Sequence, residues 1–241
     1  MTNQEIKFIK SLSQKKFREQ NGLFVAEGEK LVEEALRSRF KVKAVYRKEE
    51  IGEPAMARIS GLSSPSPALA LVHIPENTPA VPDRGLCLAL DGIRDPGNLG
   101  TILRIADWFG ISGVFASEDT VDLYNPKVVQ ATMGAIFRVP FHYCSIPGFC
   151  RKVQAGGGKV YGTFLNGENI YSGKLSAGED SLSVIVIGNE ANGISDATAA
   201  AVTDRLFIPP YPAGDPGSES LNAAVATAIA VAEFRRRAYF L

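Results

Sequence analysis

Short, mainly apolar runs recur along the chain at residues 23–26, 42–46, 68–74, 86–90, 113–117, 159–164, 184–187 and 206–208. Their length and their bounding turn residues predict strands. Between them the apolar positions take a helical period. Ile6, Ile9 and Leu12 are set among Lys7, Lys10, Lys15, Lys16 and Arg18, which predicts a basic amphipathic helix. Leu31, Val32, Ala35 and Leu36 give the apolar face of a second helix, and Ile102, Leu103, Ala106 and Phe109 that of a third. Asn125 followed by Pro126 reads as an N-cap and first helical residue for 125–131, and 147–155 continues the helical pattern. The last helix carries Leu221, Val225, Ala228, Ile229 and Ala232 on one face. Strand–helix alternation of this kind predicts an α/β fold with a parallel sheet. Pro75, Pro79 and Pro82 mark a linker at 77–84, dividing a small α/β domain (1–76) from a larger one (85–241).

The C-terminal quarter organises the larger domain. Val184, Ile185, Val186 and Ile187 form a continuous apolar run, so the strand is expected to be buried on both faces. It stops at Gly188 and opens into Asn189, Glu190, Asn192 and Gly193. A polar, glycine-bounded loop at the carboxyl end of a buried strand is where open α/β sheets bind ligands. The design repeats at Leu206 to Ile208, which Pro209 and Pro210 terminate, and the following loop leads into Ser220, Leu221 and Asn222.

Composition narrows the possibilities. The chain has 241 residues, 45% of them apolar, and no stretch approaches the roughly 18 apolar residues of a membrane span. The N-terminus has no signal-peptide pattern, and Cys87, Cys144 and Cys150 form no CxxC pair, so a reducing cytoplasm and no metal site are expected. The net charge is zero, yet residues 1–48 hold 12 Lys/Arg against 6 Asp/Glu and the remainder balances them. A basic end on an acidic chain suits nucleic acid, although a merely solvated face accounts for it equally well.

Familiar catalytic signatures are missing. His73 and His142 lie beside no Ser or Cys nucleophile signature, and Gly156-Gly157-Gly158 precedes a strand instead of following one. Neither a P-loop nor a dinucleotide fingerprint is present, which disfavours NTPase and hydride-transfer readings. Glycines, prolines and amides at strand ends remain. They suit a small adenosine-bearing ligand read by main-chain groups.

Three ordered motifs carry a family resemblance: Asp95-Pro96-Gly97-Asn98-Leu99-Gly100 with Arg104; Gly188-Asn189-Glu190 with Gly193; and Ile208-Pro209 with Ser220-Leu221-Asn222. Spread over about 130 residues, they resemble motifs 1 to 3 of the SpoU (TrmH-like) RNA ribose 2′-O-methyltransferases. The resemblance implies a SPOUT domain with a C-terminal trefoil knot, S-adenosylmethionine as cofactor and a homodimer. Phe24-Val25-Ala26-Glu27-Gly28, with Lys15, Lys16 and Arg18 before it, resembles the L30e-like substrate-binding domain of such enzymes. It implies RNA contacts at Lys15, Lys16 and Arg18, with rRNA preferred over tRNA.

By the same resemblance Gly188, Asn189, Gly193, Ile208 and Leu221, together with Thr163 and Phe164, are expected to hold the cofactor. Arg104, Asn98, Glu190, Ser220 and Asn222 are expected to form the catalytic side. Asn98 can also be read as a simple helix N-cap. Arginine has no acceptor and resists deprotonation, so Arg104 is expected to clamp the developing alkoxide while phosphate or water takes the proton. The chain departs from the family at Pro210, at Gln130 and in a longer loop over 211–219. The alternative on the same fold is a non-enzymatic RNA-binding or ribosome-assembly protein.

Overall fold

The structure, a computed structural model, describes residues 1–172, 175, 181–212 and 219–240, leaving out the side chains of 239 and 240. The chain divides into two compact units, one of residues 1–76 and 122–138, the other of residues 77–121 and 139–241.

The first unit opens with α1 (Asn3–Ser11), started by a capping box in which Thr2 and Glu5 satisfy each other's main-chain amides. The helix α2 (Lys15–Asn21) stops at Gly22, whose φ of 60° is the left-handed conformation glycine supplies without strain. Next come β1 (Leu23–Glu27), α3 (Glu29–Arg37), β2 (Val42–Arg47), α4 (Lys48–Ile51), α5 (Glu53–Ile59) and β3 (Ala68–His73). The strands form an antiparallel sheet in the order β1-β3-β2, and β3, the central strand, is buried from Ala68 to Val72. Leu31, Val32 and Ala35 of α3 are buried as expected, but Leu36 is half exposed because it lies one residue round from that face.

The second unit starts with β4 (Gly85–Asp91), α6 (Pro96–Trp108) and β5 (Gly113–Ala116). Residues 122–138 then belong to the first unit, through α7 (Pro126–Ala131) and a 3-10 turn at Ala135–Phe137. Asn125 caps α7 as its sequence predicts, accepting from the Lys127 amide. The aromatic rings of Tyr124 and Phe137 lie 4.8 and 6.2 Å from Phe24 of β1, which ties this excursion to the first sheet. The chain resumes the second unit at β6 (Phe141–Tyr143), a three-residue edge strand the sequence pattern did not reveal. It continues with α8 (Ile146–Ala155), β7 (Lys159–Asn169), β8 (Leu182–Gly188), α9 (Asp196–Ala199), β9 (Asp204–Phe207) and α10 (Ala223–Phe240).

All pairings in this six-stranded sheet are parallel, in the order β6-β5-β4-β8-β7-β9. Every residue of β8 from Leu182 to Ile187 is buried, the signature of a strand covered on both faces. Val184 and Val186 join the cluster packed by Phe149, Cys150 and Val153 of α8. By the two-residue alternation Ile185 and Ile187 face the other side, where α10 contacts β8 and α6. The buried side of α10 is Ala223, Ala224, Thr227, Ala230, Val231 and Phe234. The face of Leu221, Val225, Ala228, Ile229 and Ala232 is therefore not the core face: Val225 is 48% exposed and the three helical residues after it are half-buried.

Candidate active site at the carboxyl ends of the central strands

In the sheet register Asp91 of β4 stands opposite Gly188 of β8, and Thr163 of β7 opposite Leu206 of β9. The carboxyl ends of β4, β8 and β9 therefore reach one edge, where β7 leaves its pairing with β8 after Gly162, bringing Thr163, Phe164, Gly188 and Ile208 to it. All four are half-buried. The Thr163 hydroxyl donates to the Val186 carbonyl at 3.1 Å, and the Arg205 guanidinium lies 4.0 Å from the centre of the Phe164 ring.

Gly188 is required by its own loop. A Cβ there would overlap the main chain at Gly193 and Ile194. Gly193 closes the turn with φ of 70°, and it exchanges two main-chain hydrogen bonds of 2.9 Å with Asn189. The Asn189 side chain accepts from the amides of Ala191 and Asn192 and donates to the Gly92 carbonyl at 2.6 Å. Main chain and side chain of Asn189 are thus both spent on loop geometry. These bonds give Asn189 a scaffolding role in the loop that Gly188 opens.

A polar relay crosses the site. Asn222 caps α10, its Oδ1 accepting from the amides of Ala224 at 3.0 Å and Val225 at 3.2 Å. That leaves its Nδ2 to donate to Asn98 Oδ1 at 2.8 Å, and Asn98 Nδ2 in turn donates to Glu190 Oε1 at 2.9 Å. Because amides at a helix start can only donate and a carboxylate only accepts, the direction of every bond in the chain is fixed. Asn98 is buried in the first turn of α6 but does not cap it. Asp95 is the cap, its carboxylate accepting from the Asn98 amide at 2.8 Å. The simple N-cap reading of Asn98 is thereby replaced.

Arg104 is exposed on α6 and makes no hydrogen bond or ion pair with any described residue. Six residues along the helix separate it from Asn98, about 9 Å of rise. Ser220 and Leu221 are exposed in the segment leading to Asn222. Residues 213–218 of the longer loop lie outside the described residues.

On the RNA side the structure makes one correction. Lys15 and Lys16 are exposed, Lys15 beside Glu19 at 3.7 Å. Arg18 is 2% exposed and bonded to the carbonyls of Leu12 and Ser13 and to the Asp122 carboxylate. A guanidinium so enclosed fastens α2 to residue 122 and has no face to offer RNA.

Sequence reasoning missed Asp91, which accepts from both the amide and the hydroxyl of Ser195 at 2.8 Å, and Asp95 and Arg205. An acidic residue ending a buried strand was the available signal for Asp91. The thiols offer no nucleophile, since burial pushes Cys87 and Cys150 up to about 12 and Cys144 up to about 11. Burial also holds His142 below its usual range, keeping it neutral against Phe115. Among the described residues no group of three His, Cys, Asp or Glu could hold a metal ion. Among the same residues no helix is long and apolar enough to cross a membrane.

A parallel sheet with glycine loops and an amide–carboxylate relay at its carboxyl edge defines an α/β domain of the ligand-binding kind. Residues 85–232 match the SpoU rRNA Methylase family and residues 3–70 the MRM3-like substrate binding domain. The chain belongs to the SpoU rRNA methylase family. The 23S rRNA (guanosine(2553)-2′-O)-methyltransferase RlmP of Bacillus subtilis is 34% identical over 97% of this chain and 96% of its own. A TrmH-family RNA methyltransferase structure from Porphyromonas gingivalis, described as putative in that work, superposes with a TM-score of 0.89. It has 37% identity and covers 98% of this chain and 99% of its own. An AdoMet-bound rRNA methyltransferase from Sinorhizobium meliloti superposes with a TM-score of 0.87, at 30% identity over 100% and 97% of the two chains.

Proposed function

We propose that this protein transfers a methyl group from S-adenosylmethionine to a ribose 2′-hydroxyl of ribosomal RNA. The observation that carries the reading is the directed relay from the α10 N-terminus through Asn222 and Asn98 to Glu190, set at the same sheet edge as Gly188 and Ile208. The family match and the rRNA enzymes at 30% identity or more along the whole chain support the same activity.

The residues fit the cofactor by their chemistry. Gly193 leaves open space where a side chain would stand, and Ile208 and Leu221 lie in irregular main chain beyond the last strand pairings. Main-chain groups of this kind can read an adenosine without a charged fingerprint. When bound, the cofactor supplies a methyl group already activated by a sulfonium. What the protein adds is alignment and electrostatics. Arg104 holds its charge, which no described residue neutralises, for the ribose oxygen and an adjoining phosphate. As the hydroxyl is methylated its proton leaves to phosphate or water, and the guanidinium stabilises the negative charge that develops on the oxygen. Glu190 and Asn222 fix the loops on either side of Asn98, and Ser220 is assigned to orient the nucleotide.

The C-terminal segment is proposed to form the family's trefoil knot, supported by α10 returning to pack on α6 and β8 after edge strand β9. A homodimer is proposed from the outward side of α10 together with Trp108 of α6, 84% exposed. Residues 1–76 are proposed as the RNA-holding domain, with Lys15 and Lys16 among its contacts. Three free thiols and the rRNA substrate support a cytoplasmic site of action. Calorimetric titration with S-adenosylmethionine, followed by transfer of its labelled methyl group to rRNA, tests the reading. Cofactor binding and label in RNA are expected; RNA binding without label would favour the non-enzymatic alternative.

A further inference from the structure

The first unit holds a groove that the transfer chemistry does not use. Its volume is about 770 Å³, within the range of small-ligand sites. Buried Ile9 of α1, Ile59 of α5 and Val129 of α7 give it aliphatic walls. Lys10 and Lys127 stand exposed on its lining, and Gln130 half-buried; the side chains of all three have no hydrogen-bond or ion-pair partner among the described residues. Glu27, only 6% exposed, also lines it.

We propose that this groove takes an unpaired nucleotide of the RNA substrate, base inward and phosphates on Lys10 and Lys127. The inference rests on the RNA-methyltransferase reading and extends it to how the RNA is held. Aliphatic walls accept either face of a base, and a base within a duplex could not reach them because both its faces are stacked. Two lysines without counter-ions are charge-complementary to a phosphate backbone. An apolar peptide would leave both unanswered.

Glu27 adds selectivity. Its carboxylate accepts from the Ser60 hydroxyl at 2.5 Å and the Gly61 amide at 2.8 Å. A carboxylate offers about four acceptor positions and no donor. The capacity left over suits an exocyclic amino group, so cytosine is favoured over uracil, which presents a carbonyl at the same place. The unpartnered amide of Gln130 is free to meet the rest of the base edge.

Fluorescence anisotropy of the full-length protein with short oligocytidine, oligouridine and duplex RNA tests this. Oligocytidine is expected to bind more tightly than either of the others. Ala131→Phe fills the groove while keeping every charge, and is expected to weaken oligocytidine about tenfold or more. Lys10→Ala with Lys127→Ala is expected to reduce the slope of log affinity against log salt by about 1.4, two phosphates' worth for a single strand. Titration with S-adenosylmethionine should be unchanged in both. Unaltered oligocytidine affinity in variants that melt like the parent overturns the proposal. These readings need no methyl transfer, so a protein that failed to methylate RNA but gave them would lose the enzymatic reading and keep the groove.

Discussion

Asn98 links two loops that are far apart in sequence, and its substitution separates positioning from chemistry. Asn98→Ala takes the Asn98 partner from Glu190 Oε1 and from Asn222 Nδ2, leaving Glu190 Oε2 with the Arg94 amide. Removing one such part-buried polar contact costs about 1–3 kcal/mol. The expected outcome is a lower melting temperature together with reduced turnover. Asn222→Ala removes the α10 cap as well, costing about 1 kcal/mol of stability, and is expected to spare cofactor affinity while lowering turnover. Loss of cofactor affinity in Asn222→Ala would reassign it to the cofactor side. Arg104 makes the opposite case. With no described partner it contributes little to folding, so Arg104→Ala should melt like the parent while single-turnover methyl transfer falls roughly 10²–10³-fold. Arg104→Lys keeps the charge but not the planar fork, and substantial loss is expected to remain. A normal rate in folded Arg104→Ala would remove it from the catalytic side.

At the scale of elements, the strands and most helices were legible because their apolar periods are unbroken. β8 and α7 show this best, one by its continuous β-branched run, the other by Asn125 and Pro126 at its start. β6 was not legible: three residues carry too little period, and its place is set by pairing with β5. Which face of α10 turns inward was not legible because small residues run all round the helix, and only packing distinguishes Ala224 from Ala228. Arg18 was misread for a related reason, since a basic run does not tell which cation meets an acid 104 residues away. The relay of Asn98, Glu190 and Asn222 could be named from motifs, but its bond directions needed coordinates. Glu233 of α10 gives a test at this scale. Arg236 and Arg237 hold its carboxyl down to about 2, so its contribution to stability is present above the usual carboxylate range and is lost as pH falls toward 2. Glu233→Gln is expected to cost about 1–2 kcal/mol near neutrality, and thermal melts of the two proteins should converge in acid.

For the whole molecule, the two units are not two successive lengths of chain. Residues 122–138 carry buried Val128, Val129, Ile136 and Phe137 within the first unit, so a cut at the linker does not yield an undisturbed second domain. A fragment beginning at Asn77 exposes those side chains and is expected to melt at a lower temperature and to bind S-adenosylmethionine less well than the full chain; melts and affinities equal to the full chain's would contradict the division. The full chain is the proper material for the central claim, that the methyl group goes to a ribose 2′-oxygen of rRNA. A 2′-O-methylated ribose lacks the hydroxyl that attacks its own phosphodiester in alkali, so the label's fate in alkali reports the acceptor atom directly. Digesting rRNA methylated with label from S-adenosylmethionine should leave the label in alkali-resistant dinucleotides. Label recovered only in single nucleotides, on the bases, would contradict the account.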